Sequence, residues 1–380
     1  MSDPLPFALP DITELEIDAV AEALRSGWIT SGPRAREFEE AFAATLGAGL
    51  HAVAVNSATA GLHLALEAIG VGPGDEVLVP TWTFTATAEV VRYLGADPVL
   101  VDVRPDTLNV DLEAASARVT KRTRAIIPVH FAGHPVDPIE LASFARVHGL
   151  KVVEDAAHAF PAGVDGLAVG GGGSEATVFS FYSTKTMTTG EGGMLITPLD
   201  DVAKRARTMR LHGIDRDAFN RYRSTRPAWA YDVLAPGFKY NLTDPAAAMG
   251  LVQLRRSGAM QDRRQEIARQ YRAGLADTSL ELPVAPRPGV EHAWHLFVVR
   301  VPEGYDRSAF IDRMFAHGVS CSVHFIPLHH LSYWRNELGH AAGFPVADRE
   351  HPRTVSLPLY SAMSDTDIDR VLTAVKSSLS

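Results

Sequence analysis

Short apolar runs alternate with amphipathic stretches through the first half of the chain. His51–Val55, Glu76–Val79, Pro98–Val103, Ala125–His130 and Val152–Asp155 are largely continuous apolar segments of strand length, which is how strands buried on both faces read. Between them lie helical patterns: Thr59–Ile69, with Leu62, Leu66 and Ile69 on one face, then Thr85–Leu94 and Asp137–His148. Strand and helix in alternation require crossover connections, so the pattern predicts a mostly parallel sheet with helices on both faces, a three-layer α/β/α domain. Two further amphipathic helices precede it, one from Asp11-Ile12-Thr13-Glu14 through Leu24 and one over about Arg34 to Leu46. Thr177–Phe181 and Met194–Thr197 add two more buried strands.

The pattern changes after about Gly250. Leu251–Ala276 reads as one long charged helix, followed by a strand over His295–Val301, a helix over Ser308–His317, a strand over Val319–Phe325 and a closing helix over Asp365–Val375. Regular βα alternation is missing there. The expected organisation is a large domain over 1–250 and a smaller C-terminal α+β domain over 251–380. Asp215–Leu234, rich in Arg, Tyr and Trp, and His329–Gly343 fit no element; long loops inside compact domains are usually functional.

Composition narrows the class. The 380 residues have ordinary hydrophobic content, 46%, and a formal charge of -9, which argues against nucleic-acid or anionic-membrane partners. The lone cysteine, Cys321, excludes an intrachain disulfide and a multi-thiolate metal site. The start, MSDPLPFALP, lacks a basic region followed by an apolar run, and no stretch approaches a membrane span. The expectation is a cytoplasmic enzyme or binding protein.

Chemistry concentrates where such sheets bind ligands, at the carboxyl ends of strands. Lys185 lies in a loop of small, polar and glycine residues between two buried strands, where an ammonium loses solvent and its pKa falls toward that of a useful nucleophile. Asn56-Ser57-Ala58-Thr59-Ala60-Gly61 opens from the first strand directly into a helix, offering an anion site at the helix N-terminus or a plain N-cap. Asp155 ends its strand ahead of two alanines and His158, Ser180 sits in the strand leading to Lys185, and Phe84 follows the second strand. An anion cradle, an aromatic face, a carboxylate and a desolvated lysine are the set that pyridoxal 5'-phosphate requires.

The stretch Ser180-Phe181-Tyr182-Ser183-Thr184-Lys185, followed by Thr188-Thr189-Gly190-Glu191-Gly192-Gly193-Met194, resembles the signature of the DegT/DnrJ/StrS sugar aminotransferases, a family of fold-type I pyridoxal-phosphate enzymes. Leu24–Thr30, Gly72–Val77, Glu154–His158, Lys239–Asp244 and His292–Phe297 extend the likeness along the chain. In detail it is most similar to the UDP-4-amino-4-deoxy-L-arabinose:oxoglutarate aminotransferases. The resemblance implies Lys185 as the Schiff-base lysine and Asp155 as the partner of the ring nitrogen. It implies Ala58, Thr59 and Ser180 on the phosphate, Phe84 stacked on the ring and His158 near the ring hydroxyl. Asn241 would reach the phosphate of a neighbouring subunit's cofactor, making the active unit a homodimer. Glutamate and a keto-sugar nucleotide are the implied substrates, with C3 keto-sugars or a keto-inositol as alternatives and no metal in the reaction. Relatives that dehydrate sugars carry histidine at the Schiff-base position, and Lys185 counts against that chemistry. A cofactor-binding sensor without catalysis is the competing reading from another class. Trp28, His324, His329 and the loop Asp215–Leu234 are the expected substrate contacts.

Overall fold

A computed structural model describes residues 4–215, 231–337 and 343–379. Strands β1 (His51–Val55), β2 (Glu76–Pro80), β3 (Asp97–Val101), β4 (Thr123–Ile126), β5 (Lys151–Asp155), β6 (Gly163–Val164), β7 (Leu167–Ala168), β8 (Ala176–Ser180) and β9 (Gly193–Thr197) occupy the first part of the chain. Seven of them form one sheet in the order β1-β9-β8-β5-β4-β2-β3. The pairs β3/β2, β2/β4, β4/β5 and β5/β8 are parallel, while β9 runs antiparallel to both β8 and β1. The single reversal has a simple origin: no crossover helix separates β8 from β9, only the loop that carries Lys185. The fold is the mostly parallel α/β architecture that the alternation predicts.

Both faces of the sheet are covered, and successive residues along β1 serve different cores. Val53 and Val55 join Leu62, Leu66, Val79 and Val91 on one side, with Val202 and Met209 of the helix Asp200–Met209. Ala52 and Ala54 join Phe38, Phe42, Phe179 and Phe181 on the other. This is the two-residue period of a strand buried on both sides. The first helix, Glu14–Arg25, starts with a capping box in which Thr13 and Glu16 satisfy each other's end of the turn.

The long helix spans Asp244–Leu275 with proline in its first turn, so it crosses the expected division at 250. Its start is tied to the N-terminal segment: the buried Asp244 carboxylate accepts backbone N–H bonds from Gly32 at 2.7 Å, Ala35 at 3.0 Å and Arg34 at 3.1 Å. Its far end supplies Ile267, Tyr271 and Leu275 to a separate core containing Phe297, Phe310, Met314, Val355, Val371 and Val375. Val290–Glu291 (β10) pairs with β6, and Phe297–Arg300 (β11) pairs antiparallel with Thr354–Leu357 (β12). Helices Arg307–Ala316 and Asp365–Leu379 pack there.

Two readings change. Val319–Phe325 is no strand: Val319 and Ser322 each make one isolated bridge, to Leu5 and Ser356, and the segment then turns toward a cavity. The strand Thr354–Leu357 takes the place beside β11 instead. Of the unassigned segments, His329–Gly343 opens with short helical turns at Leu328–His330 and Ser332–Glu337, and residues 338–342 lie outside the described residues. Most of Asp215–Leu234, residues 216–230, also lies outside them.

Candidate active site

The strand ends of this sheet surround a cavity of about 470 Å³. Ala58, Thr59, Phe84, Asp155, His158, Ser180, Lys185 and His324 all line it. Residues far apart in the chain meet here because β1, β2, β5 and β8 deliver their carboxyl ends to one edge.

The wall beside β1 is the start of the helix Ala58–Ala68. Ser57 is its N-cap, with Oγ accepting from Ala60 N at 3.1 Å. The first N–H groups of a helix have no intrahelical acceptor and carry the positive end of its dipole, so the turn at Ala58 and Thr59 favours an anion. Glycine at two positions permits this arrangement. A Cβ on Gly61 would lie 2.6 Å from Val178 Cγ1, so the helix sits tight against β8. A Cβ on Gly193 would lie 2.8 Å from Ala58 N, where β9 passes directly beneath the helix start.

Asp155 ends β5 and is buried. Its Oδ2 accepts from Thr87 Oγ1 at 2.8 Å and its Oδ1 from the backbone N–H of Ala157 at 3.1 Å. Thr83 Oγ1 lies 2.7 Å from Thr87 Oγ1 and completes a short hydroxyl relay. Burial nevertheless raises the carboxyl pKa, against the pull of Thr87, Ala157 and the Lys185 ammonium.

Lys185 borders the cavity and so keeps some solvent contact, while protein encloses its amine from the other directions. Its Nζ has no hydrogen-bond or ion-pair partner among the described residues; desolvation brings its pKa down to about 8, with Asp155 opposing the fall.

Three imidazoles close the cavity. His158 accepts from Ala132 N at 3.3 Å through Nδ1, which leaves the ring proton on Nε2, and its ring lies 4.3 Å from that of His295. Burial first, then the lysine or a neighbouring ring, keeps His158 and His295 neutral, and His324 falls to about 4 for the same reasons. His324 Nδ1 is 2.9 Å from Ser356 Oγ. Phe84 is 60% exposed, so it presents a free ring face at the mouth.

Trp28, Asn241 and His329 are not in the lining. The indole of Trp28 packs on Gly32, where a Cβ would collide with its Nε1. Asn241 donates from Nδ2 to Ser31 Oγ at 2.7 Å and accepts from Lys239 Nζ, next to the end of β1. His329 is engaged at both ring nitrogens, 2.6 Å from Thr81 Oγ1 and 2.9 Å from Asp348 Oδ1. These contacts hold His329 outside the lining. Thr87, Tyr182, Glu191 and His295 were not singled out from sequence, yet all four line the cavity. Thr87, in the first turn of the helix Ala86–Tyr93, reads like any residue of a helix start, and His295 lay hidden in an apolar run.

The donor set fits pyridoxal phosphate: an unpartnered amine, a carboxylate held by two donors and an anion-favouring helix start share one cavity. Fold and site together are those of a fold-type I pyridoxal-phosphate-dependent transaminase. The chain belongs to the DegT/DnrJ/EryC1/StrS aminotransferase family, which it matches over residues 10–376. It is 46% identical over 98% of its length to the spore coat polysaccharide biosynthesis protein SpsC of Bacillus subtilis, covering 96% of that protein. Among solved structures it is similar to the sugar-aminotransferase candidate Spr1654 from Streptococcus pneumoniae in its PMP form, at 34% identity, 98% coverage of each chain and a TM-score of 0.92. A PLP form of Spr1654 also matches, with a TM-score of 0.90 at 33% identity over 99% of this chain and all of that one. The aminotransferase TlmJ from Streptoalloteichus hindustanus gives 0.91 at 35% identity over 99% of both chains. No described helix is long and apolar enough to cross a membrane.

Proposed function

We propose that this transaminase moves an amino group from glutamate to a nucleotide-linked keto-sugar, aminating C4 of a UDP- or dTDP-4-keto sugar. The carrying observation is the unpartnered Lys185 amine, with its pKa near 8, facing the same cavity as the buried Asp155. The sugar rests on family membership and on the name of the Bacillus relative, a protein of spore coat polysaccharide biosynthesis.

Pyridoxal phosphate, when bound, supplies a carbonyl that takes up the donor's nitrogen and a ring that takes up an electron pair. The chain's own residues do the rest. Burial lowers the Lys185 pKa to about 8, toward the range in which Nζ can take a proton from the donor's α-carbon and return it. Asp155, fixed by Thr87 and Ala157, would hold positive charge on the ring nitrogen. The helix start at Ala58 and Thr59, with the Ser180 hydroxyl, would hold the phosphate. Phe84 would offer its exposed face to the cofactor ring, and His158 would offer its Nε2 proton to a ring oxygen. In this reading Asn241 reaches the phosphate held by a second copy of the chain, and the active unit is a homodimer.

The test offers 4-keto nucleotide sugars, 3-keto nucleotide sugars and an inosose to the amino form of the enzyme and follows the cofactor's absorbance. The proposal expects conversion by a 4-keto nucleotide sugar. Conversion by the inosose alone would sink it. Mixing Lys185→Ala chains with Asn241→Ala chains tests the shared site: restored activity supports it, and strict inactivity of every mixed dimer opposes it.

A further inference from the structure

One cluster of ligating side chains lies outside the cofactor cavity. His329 and His330 sit in the turn Leu328–His330, and Asp348 in the helix Pro345–Glu350. His329 Nε2 and His330 Nε2 lie 2.9 and 2.7 Å from the same carboxylate oxygen, Asp348 Oδ1. One donor atom from each of the three lies within 4.8 Å of the others. We propose that these residues form a site for a divalent transition cation of the zinc kind.

The chemistry of the set points there. Two imidazole nitrogens and one carboxylate oxygen are zinc-type ligands, unsuited to magnesium or calcium, which ask for oxygen alone. Zinc holds such ligands at about 2.0–2.2 Å, so neighbouring ligand atoms of a tetrahedron stand a little over 3 Å apart. Opening the two contacts to Asp348 by about half an ångström, and bringing the two imidazole nitrogens from within 4.8 Å of each other to that same spacing, admits the ion. His329 is also oriented from behind: Thr81 Oγ1 is 2.6 Å from its Nδ1, and the ring stacks on buried Phe344 at 4.3 Å. A ligating histidine typically has such a partner on its second nitrogen, which fixes the tautomer and leaves Nε2 free for metal. His330 and Asp348 are exposed, giving the ion a way in and a fourth position for water.

The location gives the ion a role. Thr81 directly follows β2 and its carbonyl accepts from Leu328 N at 2.8 Å; two residues on, Thr83 and Phe84 line the cavity. His324 and Phe325 line the same cavity just before the turn. An ion here clamps the turn 328–330 to the helix 345–350 and steadies that wall.

The experiment uses the full, untagged, cofactor-loaded chain, freed of metal with a chelator and of unbound cofactor, and titrates it with zinc chloride by calorimetry. One equivalent per chain is expected, with a rise in melting temperature. His330→Ala combined with Asp348→Asn removes both; these side chains are exposed, so the fold survives, which the metal-free melt checks. Thr81→Val weakens binding by about 10- to 100-fold, and His317→Ala, a substitution at a remote exposed histidine, leaves it unchanged. An absent equivalent in the unaltered chain, or zinc binding unaffected by the double substitution, overturns the site and leaves an ordinary hydrogen-bonded trio.

Discussion

Thr87→Val isolates what holds Asp155 in its working state. Thr87 is fully buried, and its hydroxyl is the one side-chain donor to the carboxylate among the described residues, at 2.8 Å. Valine keeps the shape and removes the donor. A hydrogen bond to a charged group contributes about 1.5–3 kcal/mol, and one pKa unit corresponds to about 1.4 kcal/mol, so the Asp155 pKa moves up by a further ~1–2 units. Burial already raises it, and both effects act in the same direction, toward the neutral acid. A neutral Asp155 no longer holds charge on the ring nitrogen. Turnover should fall by about 10- to 100-fold, and the acid limb of the rate–pH profile should move to higher pH by the same ~1–2 units. Thr87→Ser, which restores the hydroxyl, should recover most of the loss. The assay is steady-state transamination across pH on cofactor-loaded protein of each variant. A valine variant within about twofold of the parent rate, with an unmoved acid limb, would show that Thr87 does not set the ionisation of Asp155.

Lys185→Ala should lower turnover by about a hundredfold or more, read as glutamate-dependent conversion of the cofactor in a single turnover. In cofactor-free protein, Lys185 should react with an aldehyde probe with a midpoint near pH 8: its pKa is depressed to about 8, so the reactive amine is lost as pH falls through that value and gained above it. Gly193→Ala should cost about 1–3 kcal/mol of stability and weaken cofactor binding, because a Cβ there meets Ala58 N and Ser57 C at 2.8 Å and Phe179 O at 2.9 Å, all backbone. Chemical unfolding and a cofactor titration check it.

Much of the sheet was legible because its strands are buried on both faces and read as unbroken apolar runs. His51–Val55 matches its expected limits, and Thr177–Phe181 is displaced by one residue. Boundaries set by tertiary contacts were harder. The run Val319–Phe325 alternates like a strand, yet its apolar residues serve two purposes, Val319 in the C-terminal core and Phe325 in the cavity wall. Periodicity cannot separate burial against a core from burial against a ligand space. The same limit applies to the histidines. His324 and His329 stand five residues apart in one apolar stretch, but only His324 faces the cavity; Thr81 and Asp348, distant in sequence, turn His329 away. Lys185 was readable because glycine-rich loops between buried strands seldom carry a lysine, whereas Thr87 looked like any residue of a helix start.

Lys185 is the residue expected to carry the cofactor. Borohydride reduction of the loaded enzyme, followed by peptide mass mapping, tests this assignment directly. The mass of the reduced cofactor is expected on the peptide containing Lys185 and on no other. Active enzyme with the cofactor fixed to a different lysine, or with no lysine modified, would contradict it.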